Sequence, residues 1–507
     1  MNAFDKVSAL IDAAAKKKGV ALRVGNAHYS YQWIDERVTR LCSALLAMPK
    51  KPSRVFCQLP NGWEALVCTL ACLRVGIEVV PIPFYHSRTD IDKLHCSLVP
   101  DASISGKLNK KTGEYAVLFH CFYEEKIYPL DSLIADGSRT YELSPEESPH
   151  PLTLFTSGTT GTPKGVQFSA DALIFNLLCW RDLLDLSSNS VLFTEQGCLL
   201  MLSSYFFGGE LILPDNSHKH PVEDIEKSGC HYLTLIERHE PTACFMMPAG
   251  FMRIADALRN KQAGYSFIRK TKIWMTGGAS LPRWVISVFR EVTGSPILSG
   301  YGLTEIPLVA SSSDALCLDN ATGVGKPLKG IEVHIETAAS GGVGEIWVKS
   351  PGACSGYITE GVVTPIAADF FATGDLGYFD DQGRLFIVGR KRQLLKNAEG
   401  KFVGLSEMEA MVDQHLAPNC GTIIFDQPSD NVQRPWCLVI VDKDQSLRKT
   451  RKLEVEVIPQ LIQCIGSTFP ELSQVGEYRY ISGFPLNPAG KIDRYALVQE
   501  IFGFAGG

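Results

Sequence analysis

The segment from Arg54 to Pro83 constrains the fold most. A short apolar run over residues 54–60 leads into a helical stretch from Asn61 to Val75. A second apolar run, Val79 to Pro83, follows, with Gly76 at the expected helix stop. Strand, helix, strand reads as a parallel βαβ unit, because a crossover helix returns the chain to the edge it left. Upstream, Ile34, Val38, Leu41 and Leu45 fall at helical spacing after the strand-like Ala21 to Tyr31, and short apolar runs recur around Leu192, Leu211, Cys244 and Ile273. The spacing predicts an α/β fold: a large N-terminal domain over residues 1–391, with parallel-rich sheets flanked by helices. Past Gly344 the texture changes. Glu345 to Lys349 alternates, and Gly374, Gly377 and Gly383 punctuate short runs, which predicts a β-rich antiparallel subdomain. Gly389-Arg390-Lys391-Arg392 reads as a hinge or as a plain exposed turn. Residues 392–507 mix strand patterns (Thr422 to Phe425, Cys437 to Val441) with helix patterns (Glu407 to His415, Val455 to Cys464), enough for a small α+β domain.

Bulk properties exclude several classes. A chain of 507 residues exceeds one ordinary core, and 45% apolar with 21% charged residues fits a soluble globular protein. A net charge of −6 argues against a nucleic-acid footprint. The local cluster Arg448 to Lys452 reads as a solvated helix start or as a site for an acidic partner. Met1 to Lys6 shows no apolar run behind a basic segment, and no stretch is long and apolar enough to span a bilayer, so neither a secretory leader nor a transmembrane segment is expected. The 15 cysteines are scattered without C-x-x-C pairs, which fits a reducing cytoplasm better than a disulfide framework or zinc.

Chemistry is concentrated in a few turns. Thr156-Ser157-Gly158-Thr159-Thr160-Gly161-Thr162-Pro163-Lys164-Gly165 leaves the β-branched segment Leu152 to Phe155. Its glycines let backbone N–H groups face a ligand, and its hydroxyls and lysine add donors and charge, which is what a polyphosphate needs. The same composition also describes a surface linker. It is not the common G-x-x-x-x-G-K-[ST] loop, since glycine follows Lys164. Three further turns follow strand patterns: Thr276 to Pro282, Ser299 to Glu305 and Thr373 to Gly377. Ligands of α/β sheets bind at the carboxyl ends of strands. Tyr301 offers a ring for a base, Glu305 a carboxylate for Mg²⁺, and Asp375 a carboxylate for ribose hydroxyls, or an Asx-turn. Asn487 to Arg494 places Lys491 in a Gly/Pro-marked turn, usually a solvated position.

Together and in this order, these segments resemble the adenylate-forming superfamily of acyl-CoA synthetases, peptide-synthetase adenylation domains and beetle luciferases. Tyr29-Ser30-Tyr31, Leu59-Pro60-Asn61, Leu73 to Gly76, Gly323 to Pro327 and Gly344 to Val348 match further motifs, so the resemblance covers nearly the whole chain. It implies the following roles. Thr156, Ser157, Gly158, Thr159, Thr160, Gly161 and Lys164 would hold the β- and γ-phosphates of ATP. Gly278, Ala279 and Ser280 would wall the adenine pocket, with Tyr301 and the adjoining Gly302 against the base. Thr304 would touch the α-phosphate, Glu305 would ligate Mg²⁺, and Asp375 with Arg390 would hold the ribose. Lys491 would be the catalytic lysine, on a mobile lid domain, residues 392–507, that swings about a hinge at Arg392. That hinge position is often Asp or Lys in the family.

The implied reaction is carboxylic acid plus ATP giving acyl-AMP and pyrophosphate, followed by acyl transfer to a thiol. Coenzyme A is the expected acceptor, and the phosphopantetheine arm of a carrier protein is the alternative. A luciferase-like oxygenase and a non-catalytic AMP-binding protein are more distant readings, and the presence of Lys491, Glu305 and Asp375 argues against the latter. Leu395 to Val403 looks more like carboxylic-acid activators than peptide synthetases. Phe193-Thr194-Glu195-Gln196 carries neither the Phe-Asp pair of amino-acid activators nor the aromatic-His pair of many acyl-CoA synthetases. By motif position, Cys198, Met246, Met247, Met275 and Gly300 are candidates to line the acid pocket, or are plain core residues.

Overall fold

The computed structural model describes residues 3–82, 88–108, 115–123, 125–138, 150–156, 164–215, 225–260, 268, 270–312, 323–336, 342–366 and 369–391. Beyond these it describes the strands 394–396, 402–404, 421–424, 436–441 and 475–481, with single residues at 459, 463, 485 and 497. Ser157 to Pro163, Arg392, Lys491, the helix pattern at 407–415 and, apart from Pro459 and Gln463, that at 455–464 lie outside the described residues.

Two large sheets organise the chain. One has 13 strands and the other nine. The parallel heart of the first sheet runs Val20–Val24, Glu210–Leu213, Val191–Thr194, Ala243–Met246, Ile273–Gly277 and Ile297–Tyr301. Ala243–Met246 is buried at every position, as expected of a parallel strand covered on both faces. The chain then reverses. Ala310–Ser311 pairs antiparallel with Ile297–Tyr301, and Gly323–Pro327, Leu385–Arg390, Phe371–Phe379, Gly344–Lys349 and Glu332–Glu336 extend the same sheet. The antiparallel part therefore begins before Gly344, where the alternation in sequence first becomes plain. The strand-like Ala21 to Tyr31 is a hairpin, Val20–Val24 against Ala27–Ser30, turned at Gly25 with φ +57°.

In the nine-stranded sheet, Glu78–Ile82 lies between Arg54–Gln58 and Leu152–Thr156. The hairpin partner Lys164–Phe168 comes next, followed by Gly356–Thr359. The helix Trp63–Arg74 crosses over between two of these strands and is buried from Leu66 to Leu73, so the βαβ unit read from the sequence is present. Helix Tyr31–Leu46 starts at Ser30, whose hydroxyl accepts the N–H of Trp33, and turns Ile34, Val38, Leu41 and Leu45 to the core. Two small sheets complete the described chain: Leu394–Lys396 with Phe402–Gly404, and Gly421–Ile424 with Trp436–Val441 and Val475–Ile481. Among the described residues, no helix is long and apolar enough to cross a membrane.

Candidate active site

Four neighbouring parallel strands end along one edge of the first sheet. Their last residues are Thr194, Met246, Gly277 and Tyr301, held in register by Thr194 against Phe245, Met246 against Thr276 and Gly277 against Gly300. Every candidate turn between residues 194 and 305 leaves this edge, where open α/β sheets bind ligands.

One part of the candidate site is built from the last of these strands and two antiparallel ones. Asp375 and Arg390 face each other as cross-strand partners, and Arg390 Nε lies 2.8 Å from Asp375 Oδ1. Tyr301 donates its phenol to Asp375 Oδ2 at 2.6 Å. Thr373 fixes the turn: its hydroxyl donates to the Ile346 carbonyl at 2.8 Å and accepts the Asp375 N–H at 3.1 Å, while Arg390 also donates to the Thr373 carbonyl. Gly374 has φ +71°, a conformation that favours glycine. The Asp375 side chain is 6% exposed and that of Arg390 50%, so the carboxylate is sheltered while its cation faces solvent. Burial, then the neighbouring Asp375 charge, pushes the Tyr301 phenol far up, so it remains a donor. Gly278, with φ +81°, Ala279 and Ser280 form an exposed lip just past the adjoining strand. At Gly302 a side-chain carbon would come within 2.1 Å of the Pro307 carbonyl, so the turn that presents Thr304 and Glu305 closes only on glycine.

Glu305 connects the two sheets. Its Oε1 accepts the phenol of Tyr357 at 2.9 Å, and its carbonyl accepts the Cys354 N–H at 2.8 Å. Burial and the Glu305 charge together keep the Tyr357 phenol protonated. Lys164 Nζ lies 5.9 Å from the centre of the same ring. Thus Lys164, at the end of the hairpin that bears the Ser/Thr/Gly run, and Glu305, at the edge of the other sheet, meet across Tyr357. No cluster of three metal-binding side chains occurs among the described residues. A lone carboxylate beside a lysine suits Mg²⁺ that arrives on phosphate oxygens and keeps much of its water, rather than a resident metal in a protein cage. Tyr357 was not among the residues singled out in the sequence. The only available signal was an aromatic after Gly356, and nothing local says that it faces a carboxylate 52 positions earlier.

A second part of the candidate site differs. Glu195 follows the strand Val191–Thr194 and is largely buried, with 10% of its side chain exposed. Its carboxylate accepts the Tyr232 phenol at 2.8 Å and the Met247 N–H at 3.1 Å, with Arg253 Nη1 at 3.6 Å. Burial raises its pKa and the Arg253 charge opposes that rise. Asn61 donates to the Glu195 carbonyl at 2.8 Å. Gly197 and Gly250 admit this packing, since a side-chain carbon at either would strike Asn61 Oδ1 at 2.3 Å or Glu195 Oε1 at 2.5 Å. Cys198 caps the helix Leu199–Phe207 at φ 36°, which a non-glycine residue rarely adopts. Among the pocket candidates, Met246 and Met275 are fully buried and belong to separate core clusters, whereas Met247 and Cys198 are part-buried. Gly300 makes room for Met275, whose Cε would lie 2.8 Å from an added carbon.

A family model for AMP-binding enzymes matches residues 11–358. YdaB of Bacillus subtilis (strain 168), named as an acyl–CoA ligase, is 25% identical over 95% of this chain and 95% of its own length. The malonate–CoA ligase of Arabidopsis thaliana is 26% identical over 69% of this chain and 60% of its own. Among solved structures, ATP-bound MatB from Rhodopseudomonas palustris superposes with a TM-score of 0.75 at 21% identity, covering 99% of both chains. Motif order, the strand-end site and these similarities agree: the chain belongs to the AMP-binding enzyme family and is an adenylate-forming enzyme of the acyl-CoA ligase type.

Proposed function

We propose that this protein activates a small carboxylic acid with ATP and Mg²⁺, forming acyl-AMP and pyrophosphate, and then passes the acyl group to the thiol of coenzyme A. The observation that carries this reading is the pair of clusters at the two ends of the Tyr301–Glu305 turn: Tyr301 with Asp375 and Arg390, and Glu305 with Tyr357 and Lys164. In this reading Asp375 accepts ribose hydroxyls and Arg390 supplies its counter-charge. Tyr301 and the Gly278–Ser280 lip flank the adenine. Thr304 reaches the α-phosphate, and Lys164, with Thr156 and the residues from Ser157 to Gly161, holds the outer phosphates. Glu305 orients a phosphate-borne Mg²⁺, which supplies charge neutralisation on the phosphates. One acid oxygen attacks the α-phosphorus as its bond to the pyrophosphate oxygen breaks. The chain contributes position and positive charge rather than a covalent intermediate.

Lys491 is assigned to that charge, within a lid of residues 392–507 turning about Arg392. Replacing Lys491 with alanine should abolish acid-dependent pyrophosphate release and leave ATP binding nearly intact. Adenylation that survives this change would remove Lys491 from its role.

The commitment of Glu195 to Tyr232, Met247 and Arg253 favours an acid without an amino group, because no unspent carboxylate is left there for an ammonium. ATP–pyrophosphate exchange with fatty, aryl, dicarboxylic and amino acids tests this, and selective exchange with amino acids would overturn it. A carrier-protein acceptor is the second reading. It is favoured by 24% identity over 68% of this chain to gramicidin S synthase 2 of Aneurinibacillus migulanus, of which the match spans 8%. Thioester formation with coenzyme A, compared with a pantetheinylated carrier, separates the two.

A further inference from the structure

The hairpin that brackets the Ser/Thr/Gly run, Leu152–Thr156 with Lys164–Phe168, is internally well paired, with five cross-strand partners from Leu152↔Phe168 to Thr156↔Lys164. Its attachment to the neighbouring strand Glu78–Ile82 is not. That junction has a single registered pair, Val79↔Leu152, whereas Glu78–Ile82 has five with Arg54–Gln58. A buried carboxylate reinforces the thin seam. Glu78 is 4% exposed, and its Oε1 accepts the Thr153 hydroxyl and, at 3.0 Å, the Gln167 amide. Thr153 and Gln167 are direct cross-strand partners, so one oxygen ties both arms of the hairpin. Arg54 Nη2 holds the other oxygen at 2.9 Å and anchors the group to the sheet beyond. On its far side Gln167 continues outward. Its carbonyl accepts the Ser355 N–H at 2.7 Å, in the segment that carries Tyr357 to Glu305.

We infer that Glu78 is a positioning residue for the outer phosphates of ATP: it fixes the depth of the hairpin and thereby where Lys164 meets the nucleotide. The hairpin's outer edge is paired with Gly356–Thr359 over three residue pairs, but its inner edge meets Glu78–Ile82 at only one, and a charge-assisted, doubly bonded carboxylate in a dry interior resists tilting at that seam. The inference rests on the proposed phosphate-holding role of Lys164.

The test uses the whole chain and two probes, MgATP and AMP, by calorimetry. AMP lacks the β- and γ-phosphates, so a misplaced hairpin weakens only MgATP. Thr153→Val and Gln167→Met each remove one tie and leave the Glu78–Arg54 pair in place. Glu78→Gln weakens that pair as well. Each single tie should raise the Kd of MgATP about five-fold while AMP stays within about two-fold. Equal changes for the two ligands, or a lowered melting temperature with neither affinity changed, would make Glu78 purely architectural and overturn the inference. Lys164→Ala separates the underlying reading. If it leaves the ATP-to-AMP ratio unchanged, the phosphate-holding role fails and the inference with it. If it shifts the ratio while Thr153→Val and Gln167→Met do not, the inference about Glu78 alone fails.

Discussion

The two halves of the candidate site use buried carboxylates in opposite ways. Asp375 is sheltered, but its cation, Arg390, is half exposed, and a neutral phenol also donates to it. Glu195 is slightly less sheltered, but its cation, Arg253, is itself buried, at 9% side-chain exposure, and a phenol and a backbone N–H also donate to it. The first cation can turn to water if its carboxylate is taken up by a ligand. The second cannot, so its carboxylate is costly to disturb. The two arrangements use the same residue types and are distinguished by where the counter-charge lies.

Disturbing each carboxylate in turn gives the sharpest contrast. Glu195→Leu strands the buried Arg253 and should destabilise the fold by about 3 kcal/mol or more, seen as a lower denaturant midpoint. If stability barely changes, Glu195 is not the internal strut described here. Asp375→Asn should cost little stability, because Arg390 can turn to water, but weaken AMP and ATP alike by about ten-fold or more. An unfolded Asp375→Asn protein would erase the contrast. Tyr357→Phe removes one donor from Glu305 and should cost about 1 kcal/mol in MgATP affinity, with AMP spared; equal weakening of both would detach Tyr357 from the phosphate end.

The smallest effect concerns a third carboxylate. Burial, reinforced by Asp131, raises the Glu64 pKa to about 7, although its own N–H opposes the shift. The folded state then holds this proton more tightly than the unfolded chain does. Glu64 therefore favours folding most at low pH, and its contribution declines as pH rises from the ordinary glutamate range through about 7. Melting curves across that window should flatten in Glu64→Gln; an unchanged slope would mean that Glu64 titrates as an exposed group.

Much of this architecture is legible in the sequence, and the limits are physical. The βαβ unit around Trp63–Arg74 and the turns after Gly277 and Tyr301 announce themselves because strand and helix periodicity and glycine geometry are local properties. The onset of antiparallel pairing at Ala310 does not, since Ala310–Ser311 is only two residues long and carries no alternation to read. The partners of Glu195 and Glu78 are invisible for another reason. Tyr232 lies 37 positions from Glu195, and Thr153 lies 75 from Glu78, so only the assembled sheets bring them together. Glu78 in particular stands within an apolar strand, where the sequence gives no sign of an ion pair.

The strained turn at Cys198 bears on the fate of a reactive product. Burial pushes the thiols of Cys198 and Cys57 up to about 12, so at neutral pH only roughly one in 10⁵ is a thiolate, the form that attacks acyl groups. In the proposed reaction, a mixed anhydride formed beside Cys198 and Cys57 would face sulfur that is chemically silent, so these two thiols would not compete with the proposed acceptor for the acyl group.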